Sequence, residues 1–533
     1  ADAHGAGAVA DAHGAGAVAD AFPEAAGELR AVLSAHPLRT GLVPRPKLPA
    51  WADPAVLPEV RLREREAALS ADATRALAEL LASPAPYATR EMRDLLDPDA
   101  LMEFGWALFE KWRAAGEPAR HAWALAQLGR TGGDATVARL VPVIGAWPGG
   151  GRANALKGLD VLRALGTDAA LAALRDIAGT PASDGLHWEA ERRFDDAADA
   201  RGLTPERLAD RLVPRFGLDA DASATLDYGP RRFRVRFDER LQARVFDENG
   251  TLRKTLPKPA VKDDPDLAPA AYRTFGELKR GVRRVASDRC RDLEHAMLRG
   301  RRWTPDEFRD HLTGHPIVAR IVRRLVWLAE PGGEEPGGRE TGGGETGGDQ
   351  GAATAFRIAE DGTFADVRDD PFVAPGTARI RVAHPAHLGD DLPAWCEVFA
   401  DYEVLQPFPQ LERPAAHLTA AERAAGRLDR YAGRALHAAD LGAGLWRKGR
   451  VHLEPGEERW LWWDAGARRR IVAGLGTGPW PHPGDADATM TVRYVRASTR
   501  PVGRDDPRGA PVRFGDLDAA TVSEALTSLL PPP

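Results

Sequence analysis

WALAQLGRTGGDATVARLVPVI (residues 123–144) and GLDVLRALGTDAALAALRDIA (residues 158–178) decide how the front of this chain is read. At an offset of 34 residues, Leu125, Leu128, Asp134 and Leu140 fall on Leu159, Leu162, Asp168 and Leu174. In both stretches an apolar face at helical spacing leads into a Gly-x-Asp turn. A second amphipathic helix then starts, with the aspartate as its expected N-cap. One such hairpin cannot cover its own apolar face, so neighbours must stack, which predicts a HEAT-like α-solenoid across residues 23–213. Residues 73–81, 101–115 and 188–212 read as its flanking helices.

Downstream the period changes. RFRVRFDE (residues 232–239) alternates Phe233, Val235 and Phe237 with Arg232, Arg234 and Arg236, the pattern of a half-buried strand. Asn249-Gly250 marks a hairpin between residues 243–247 and 251–256, which makes 214–260 a β-hairpin segment and linker. Residues 261–330 read as a basic helical segment. On residues 272–299, Leu278, Val282, Ala286, Cys290, Leu293 and Met297 make one stripe, which turns Cys290 towards a core. Thr304-Pro305-Asp306-Glu307 is a capping box that starts a helix after Trp303, and residues 317–328 read as one more helix. Residues 331–351 form a Gly/Glu-rich insertion expected to be flexible, and 352–533 an α+β C-terminal domain. Its expected strands include residues 379–382, 459–464, 469–474 and 490–496, and its expected helices residues 392–402 and 522–530. The fold class is therefore α+β multidomain, with a helical solenoid in front.

Length and composition agree. At 533 residues, about three domains is the prior. With 43% apolar and 28% charged residues and a net charge of -6, the chain reads as globular and not as a uniformly basic nucleic-acid protein. Two cysteines, Cys290 and Cys396, fit a reducing cytoplasm, and no apolar run approaches the roughly 20 residues of a membrane span. The chain begins at Ala1 rather than Met, which leaves room for residues upstream. ADAHGAGAV in tandem over residues 1–18, carrying His4 and His13, reads as a low-complexity tail (1–22) rather than a metal site.

Several motifs together resemble a known family. They are MEFGWALFEKW, DYGPRRFRVRFDE with LPKP, DLEHAMLRGRRWTPDEF, GHPIV, FRIAEDGTFADV, VAHPAHLG, DYEVLQPFPQL and TVSEAL, in this order. From about residue 81 onward the chain resembles the molybdate-metabolism-regulator-like (MolR-like) bacterial proteins. That resemblance implies an intracellular protein with helical repeats ahead of an α+β domain. It also implies partnership with MoxR-type AAA+ ATPases or von Willebrand A proteins. Members often carry a Trp-Gly-Arg domain linked to DNA ends; that tripeptide does not occur here.

Signatures of catalysis are few. GxSxG, the P-loop and HExxH do not occur, and no cofactor or metal is expected. His311 and His315 have i,i+4 spacing but Leu312 follows the first, and His315 before Pro316 fits a helix break better than a ligand. Gly474-Leu-Gly476-Thr-Gly478 runs into PWPHP, which offers no helix to a pyrophosphate. Two groups of candidate ligand-binding residues remain. The first is the basic turn Arg299, Arg301, Arg302 with His315, in a segment (residues 271–330) holding 14 Arg/Lys against 8 Asp/Glu. It could meet an anion or nucleic acid, although pairing with acidic surface within the molecule is favoured. The second is His384, Asp401, Tyr402, Gln406, Gln410 and Arg447, which could line a cleft or instead brace a Pro-rich structural corner. The function expected is non-catalytic: the solenoid docks a protein partner, of which MoxR-type machinery is one candidate. An enzyme or nucleotide-binding regulator and a nucleic-acid binder stand as rivals.

Overall fold

A computed structural model describes residues 46–63, 68–83, 89–147, 151–180, 185–332, 353–437, 447–453, 456–466, 468–475, 480, 488–499 and 509–529; of these, the side chains of residues 89–91 and 447–458 are not described. The expected tail with His4 and His13, nearly all of the 331–351 insertion, and all of the 476–483 turn but residue 480 fall outside the described residues. The chain divides after Val213 into two compact units.

The first unit is helix-rich. Its helices are α1 (Ala71–Ala82), α2 (Thr89–Leu95), α3 (Pro98–Ala114), α4 (Trp123–Ala126), α5 (Leu128–Thr131), α6 (Asp134–Ala146), α7 (Arg152–Leu165), α8 (Asp168–Ala178), α9 (Leu186–Asp199) and α10 (Pro205–Arg211). All six leucines matched at the 34-residue offset are buried, in one core that also holds Phe109, Trp112 and Phe194. The paired segments nevertheless differ. The first is broken at Gln127, whose buried side-chain amide donates to the carbonyls of Gly105 (2.7 Å) and Ala124 (3.0 Å), whereas α7 runs 14 residues without interruption. Two unequal hairpins do not make an array, so the region is helix-rich without an established solenoid. The caps also sit one residue earlier than expected. Thr167 caps α8, its hydroxyl accepting from Ala170 N–H, and Asp168 takes the first helical position, where its charge complements the helix dipole.

The second unit mixes helices and sheets. Strands β1 (Ser223–Asp227), β2 (Arg232–Phe237), β3 (Ala243–Phe246) and β4 (Leu252–Arg253) form an antiparallel meander. Phe233, Val235 and Phe237 are buried beneath it while the three alternating arginines stay on its other face. The 32-residue helix α11 (Leu267–Leu298) follows, about 48 Å long, and it touches β1, a strand of the next sheet and the C-terminal helix. Its buried stripe centres on Leu278, Val282, Val285, Arg289 and Leu293, leaving Cys290 half-buried at the edge with its thiol pKa raised by burial.

Thr304 and Glu307 form the expected capping box at α12 (Pro305–Glu307), followed by a π-helical turn (Phe308–Thr313) and α13 (Val318–Val322). The helix expected to reach residue 328 stops there. Trp327, Leu328 and Ala329 are buried in β5 (Trp327–Glu330), a strand paired on both sides within a five-stranded sheet. An unbroken apolar run does not distinguish a buried strand from a buried helix, and here the long-range pairing decides. The sheet order is β8 (Pro371–Phe372), β7 (Phe364–Ala365), β6 (Thr354–Ile358), β5, β9 (Arg379–Val382).

Beyond β9 lie α14 (Pro385–Leu388), α15 (Leu392–Asp401) and α16 (Ala420–Ala424). Strands β10 (Arg427–Leu428), β11 (Ala435–His437), β12 (Arg447–Leu453), β13 (Gly456–Asp464), β14 (Arg469–Leu475) and β15 (Thr489–Thr499) build a second antiparallel sheet. Its inner face packs Leu461, Ile471, Val495 and Ala497 against Val522, Ala525 and Leu526 of the final helix α17 (Ala519–Thr527). Gly474 is fixed by this packing, since a Cβ there would lie 2.3 Å from the ring of its cross-strand partner Tyr494. Among the described residues no helix is long and apolar enough to cross a membrane.

Candidate functional site

The densest concentration of ionisable groups lies where β9, α14 and α17 meet. Arg381 on β9 is 1% exposed and points between two acids: Nη1 donates to Asp518 Oδ1 (2.7 Å) and Glu330 Oε1 (3.2 Å), and Nη2 to Asp518 Oδ2 (3.2 Å). Glu330 also receives Arg302 Nε at 2.5 Å. Two residues after β9, His384 begins α14. Its ring is fully buried, Nδ1 accepting from Ala386 N–H (3.1 Å) and Nε2 lying 3.0 Å from Glu524 Oε1. His387 repeats the arrangement, Nδ1 accepting from His384 N–H (3.2 Å) and Nε2 facing Asp518 Oδ1 (3.2 Å). Arg413 completes the cluster, donating Nε to Glu524 (2.5 Å) and Nη1 to Glu294 of α11 (2.8 Å).

These contacts fix the charges. Burial alone would raise the pKa of Asp518, but hydrogen bonds from His387 and Arg381 outweigh it and hold the carboxyl far below the usual range. Glu524 is depressed in the same way, by His384 and Arg413 against burial. His384 moves down because burial disfavours the cation more than Glu524 favours it. His384 accepts a backbone N–H at Nδ1, so it is the neutral Nε2–H tautomer donating to Glu524.

The sequence candidates separate. Arg302 and His384 belong to this cluster. Arg301 stacks on the Trp303 ring at 4.5 Å, and Arg299 is exposed at the end of α11. His315 is 3% exposed and caps α13, its Nδ1 accepting from Ile317 and Val318 N–H. Gln410, fully buried, stands in for a strand: its Oε1 accepts from Val326 N–H (2.9 Å) and its Nε2 donates to the carbonyls of Val326 and Ala383 (2.7 Å each). Gln406 Nε2 bonds to Gln410 (2.9 Å) and its Oε1 accepts from Leu411 N–H. Tyr402 belongs to a surface group, its hydroxyl donating to Asp369 (2.5 Å) and its ring lying 4.2 Å beneath the Arg357 guanidinium. Asp401 is exposed at the end of α15, and Arg447 on β12 pairs with Trp462. The members that lie outside the sequence candidates are Arg381, His387, Arg413, Asp518, Glu524, Glu294 and Glu330. The signal was present: Arg381 and Arg413 flank, and His387 and Glu524 stand within, the motifs VAHPAHLG, QPFPQL and TVSEAL.

A second feature is the outward face of α11. Arg273, Glu277, Arg280, Arg284, Asp288, Arg291 and His295 follow one another within about 80° of a single helical face over roughly 33 Å. Arg291 pairs with Asp288 (2.7 Å), whereas the exposed Arg273, Lys279, Arg280 and Arg283 have no ion pair among the described residues. A groove of about 470 Å³ lies elsewhere, over Arg232, Arg234 and Arg236 of the meander; Arg234 there is held by Asp221 (2.9 Å) and Arg232 lies 3.6 Å from Asp227. Among the described residues no three His, Cys, Asp or Glu side chains gather as a metal site.

Residues 250–449 match the family described as "Domain of unknown function (DUF4132)". The chain is also 32% identical over 489 residues to "Uncharacterized protein YehI" of Escherichia coli (strain K12), an alignment covering 91% of this chain and 38% of that protein. The chain thus spans well under half of the relative's length. No solved structure matches. These findings correct the MolR-like, HEAT-repeat identity expected from the motifs: the family matched is DUF4132, and neither match ties the chain to molybdate regulation or to docking of MoxR-type ATPases.

Proposed function

We propose that the chain acts by binding, and that the outward face of α11 is where it meets an acidic surface of a protein partner. The observation that carries this reading is the pair of exposed cations on that face, Arg273 and Arg280, that no carboxylate among the described residues neutralises. Exposed arginines of the same unit are paired elsewhere: Arg244 with Asp238, Arg253 with Asp247, Arg427 with Asp429. Glu277 and Asp288 interrupt the basic stripe. A continuous phosphate backbone would be repelled at those two positions, whereas a protein surface can place a lysine opposite each. Tyr272, exposed beside Arg273, adds a residue type enriched in protein interfaces. The cytoplasmic placement rests on the free thiols Cys290 and Cys396.

The test places a photo-crosslinking benzophenone side chain at position 277, between Arg273 and Arg280 on that face, in the full chain in bacterial cells. A discrete protein adduct that disappears in the Arg273→Glu/Arg280→Glu background supports the reading. Adducts that survive both substitutions, or that are nuclease-sensitive, overturn it.

A further inference from the structure

The cluster around α14 meets one side of the C-terminal helix through charged and hydrogen-bonding side chains. Four elements converge there. α17 and the residue before it contribute Asp518 and Glu524; β9 contributes Arg381; the segment after Gln410 contributes Arg413; α11 contributes Glu294. Ser523 adds one neutral contact, its hydroxyl accepting from Ala416 N–H at 2.9 Å. On the other side of α17, Val522, Ala525 and Leu526 cover the inner face of the second sheet.

We propose that α14 is an acid-sensitive latch: neutral His384 holds the C-terminal helix in place, and protonation of its Nδ1 loosens that helix and uncovers the apolar face of the second sheet. The chemistry follows from what each nitrogen faces. A proton arriving from solvent can bind only Nδ1, because Nε2 already carries hydrogen. At His384 that nitrogen is occupied by Ala386 N–H, and at His387 by the N–H of His384 itself. Protonation of His384 therefore sets its Nδ1–H against Ala386 N–H and removes one of the two reciprocal caps of this four-residue helix. Glu524 attracts an imidazolium at His384. Arg413, already bonded to the same carboxylate, and the neighbouring His387 oppose it. Burial opposes it further, and the balance favours the neutral ring.

The sign is then fixed. A histidine whose folded pKa lies below its ordinary value of about 6.5 contributes stability that is complete above that value and is lost as pH falls through the folded pKa. Asp518 and Glu524, both depressed, add losses only at still lower pH, below the ordinary carboxylate range of about 4.

Hydrogen exchange of the 519–527 amides in the full chain, followed from pH 7.5 to 5 and corrected for the intrinsic rate, reads the latch directly. We expect protection to fall by up to about tenfold per pH unit for one linked proton, with the α7 and α8 amides unchanged. Replacing the ring by a non-titrating donor (His384→Gln) or by a non-titrating cap acceptor (His384→Asn) should flatten the part of this dependence that His384 carries. Should both variants fail to fold, nitrogen-15 shifts of the wild-type histidines decide. Unprotonated Nδ1 of His384 at pH 7.5 is required, and a cationic or Nδ1–H His384 ring at that pH overturns the proposal. Protection of 519–527 that is flat between pH 7.5 and 5 overturns it equally.

Discussion

The charges around α14 and those along α11 are the same residue types in opposite circumstances. Arg381 is enclosed and both of its terminal nitrogens reach carboxylates, although its buried Nε finds no partner, whereas Arg280 stands in solvent with no carboxylate partner among the described residues. A buried ion pair contributes little net stability when formed, but breaking one side strands the other charge in a poor solvent. An exposed cation can be removed at almost no cost to the fold, and its value lies in what it meets. The difference teaches where to look for function in this unit: the matched interior serves the architecture, and the unmatched exterior is available to a partner.

The sharpest way to break that comparison is Arg381→Met. The side chain fills the volume but leaves Asp518 and Glu330 without their shared cation, so we expect a loss of roughly 3–5 kcal/mol in urea unfolding. Adding Asp518→Asn should restore part of it, because the stranded carboxylate is then gone. A loss below about 1 kcal/mol would mean that the interior cluster is no more tightly coupled than a surface pair.

How much of this was legible beforehand depends on the distance over which each contact acts. Strand β2, with Phe233, Val235 and Phe237 inward, and the Thr304 capping box follow from neighbours within a few residues, and both stand as the sequence suggested. β5 was misread because Trp327 and Leu328 carry the same apolar signal in either secondary structure, and only pairing to β6 and β9 separates them. The cluster at α14 is the extreme case. Arg381 and Asp518 are 137 positions apart, and His384 and Glu524 are 140 apart, so no window of sequence contains both partners. Gln410 illustrates a subtler limit. Its residue type suits a ligand cleft or a structural corner equally, and three backbone contacts across 84 and 27 positions are what the fold gives it.

A milder perturbation probes how tightly the interior is fitted. Gly300 has φ +64, and a Cβ placed there would sit 3.0 Å from Arg381 Nη2. Gly300→Ala should therefore cost about 1–2 kcal/mol from the left-handed backbone, with an added penalty if the guanidinium is pushed off Asp518. Measured in the Arg381→Met background, that added penalty should vanish while the backbone cost persists. Equal costs in both backgrounds would show that Arg381 tolerates the displacement.

The smallest effect belongs to the outer face of α11, and its smallness is the point. Arg273→Glu and Arg280→Glu should each change unfolding free energy by no more than about 0.5 kcal/mol, since neither side chain has an ion pair among the described residues and both are exposed. The same substitutions should remove the crosslinked protein adduct at position 277, because reversing charge at an interface rim acts on encounter and orientation more than on the fold. Stability losses above about 1 kcal/mol would place these cations in the architecture after all, and the separation between a matched interior and an available exterior would fail at α11.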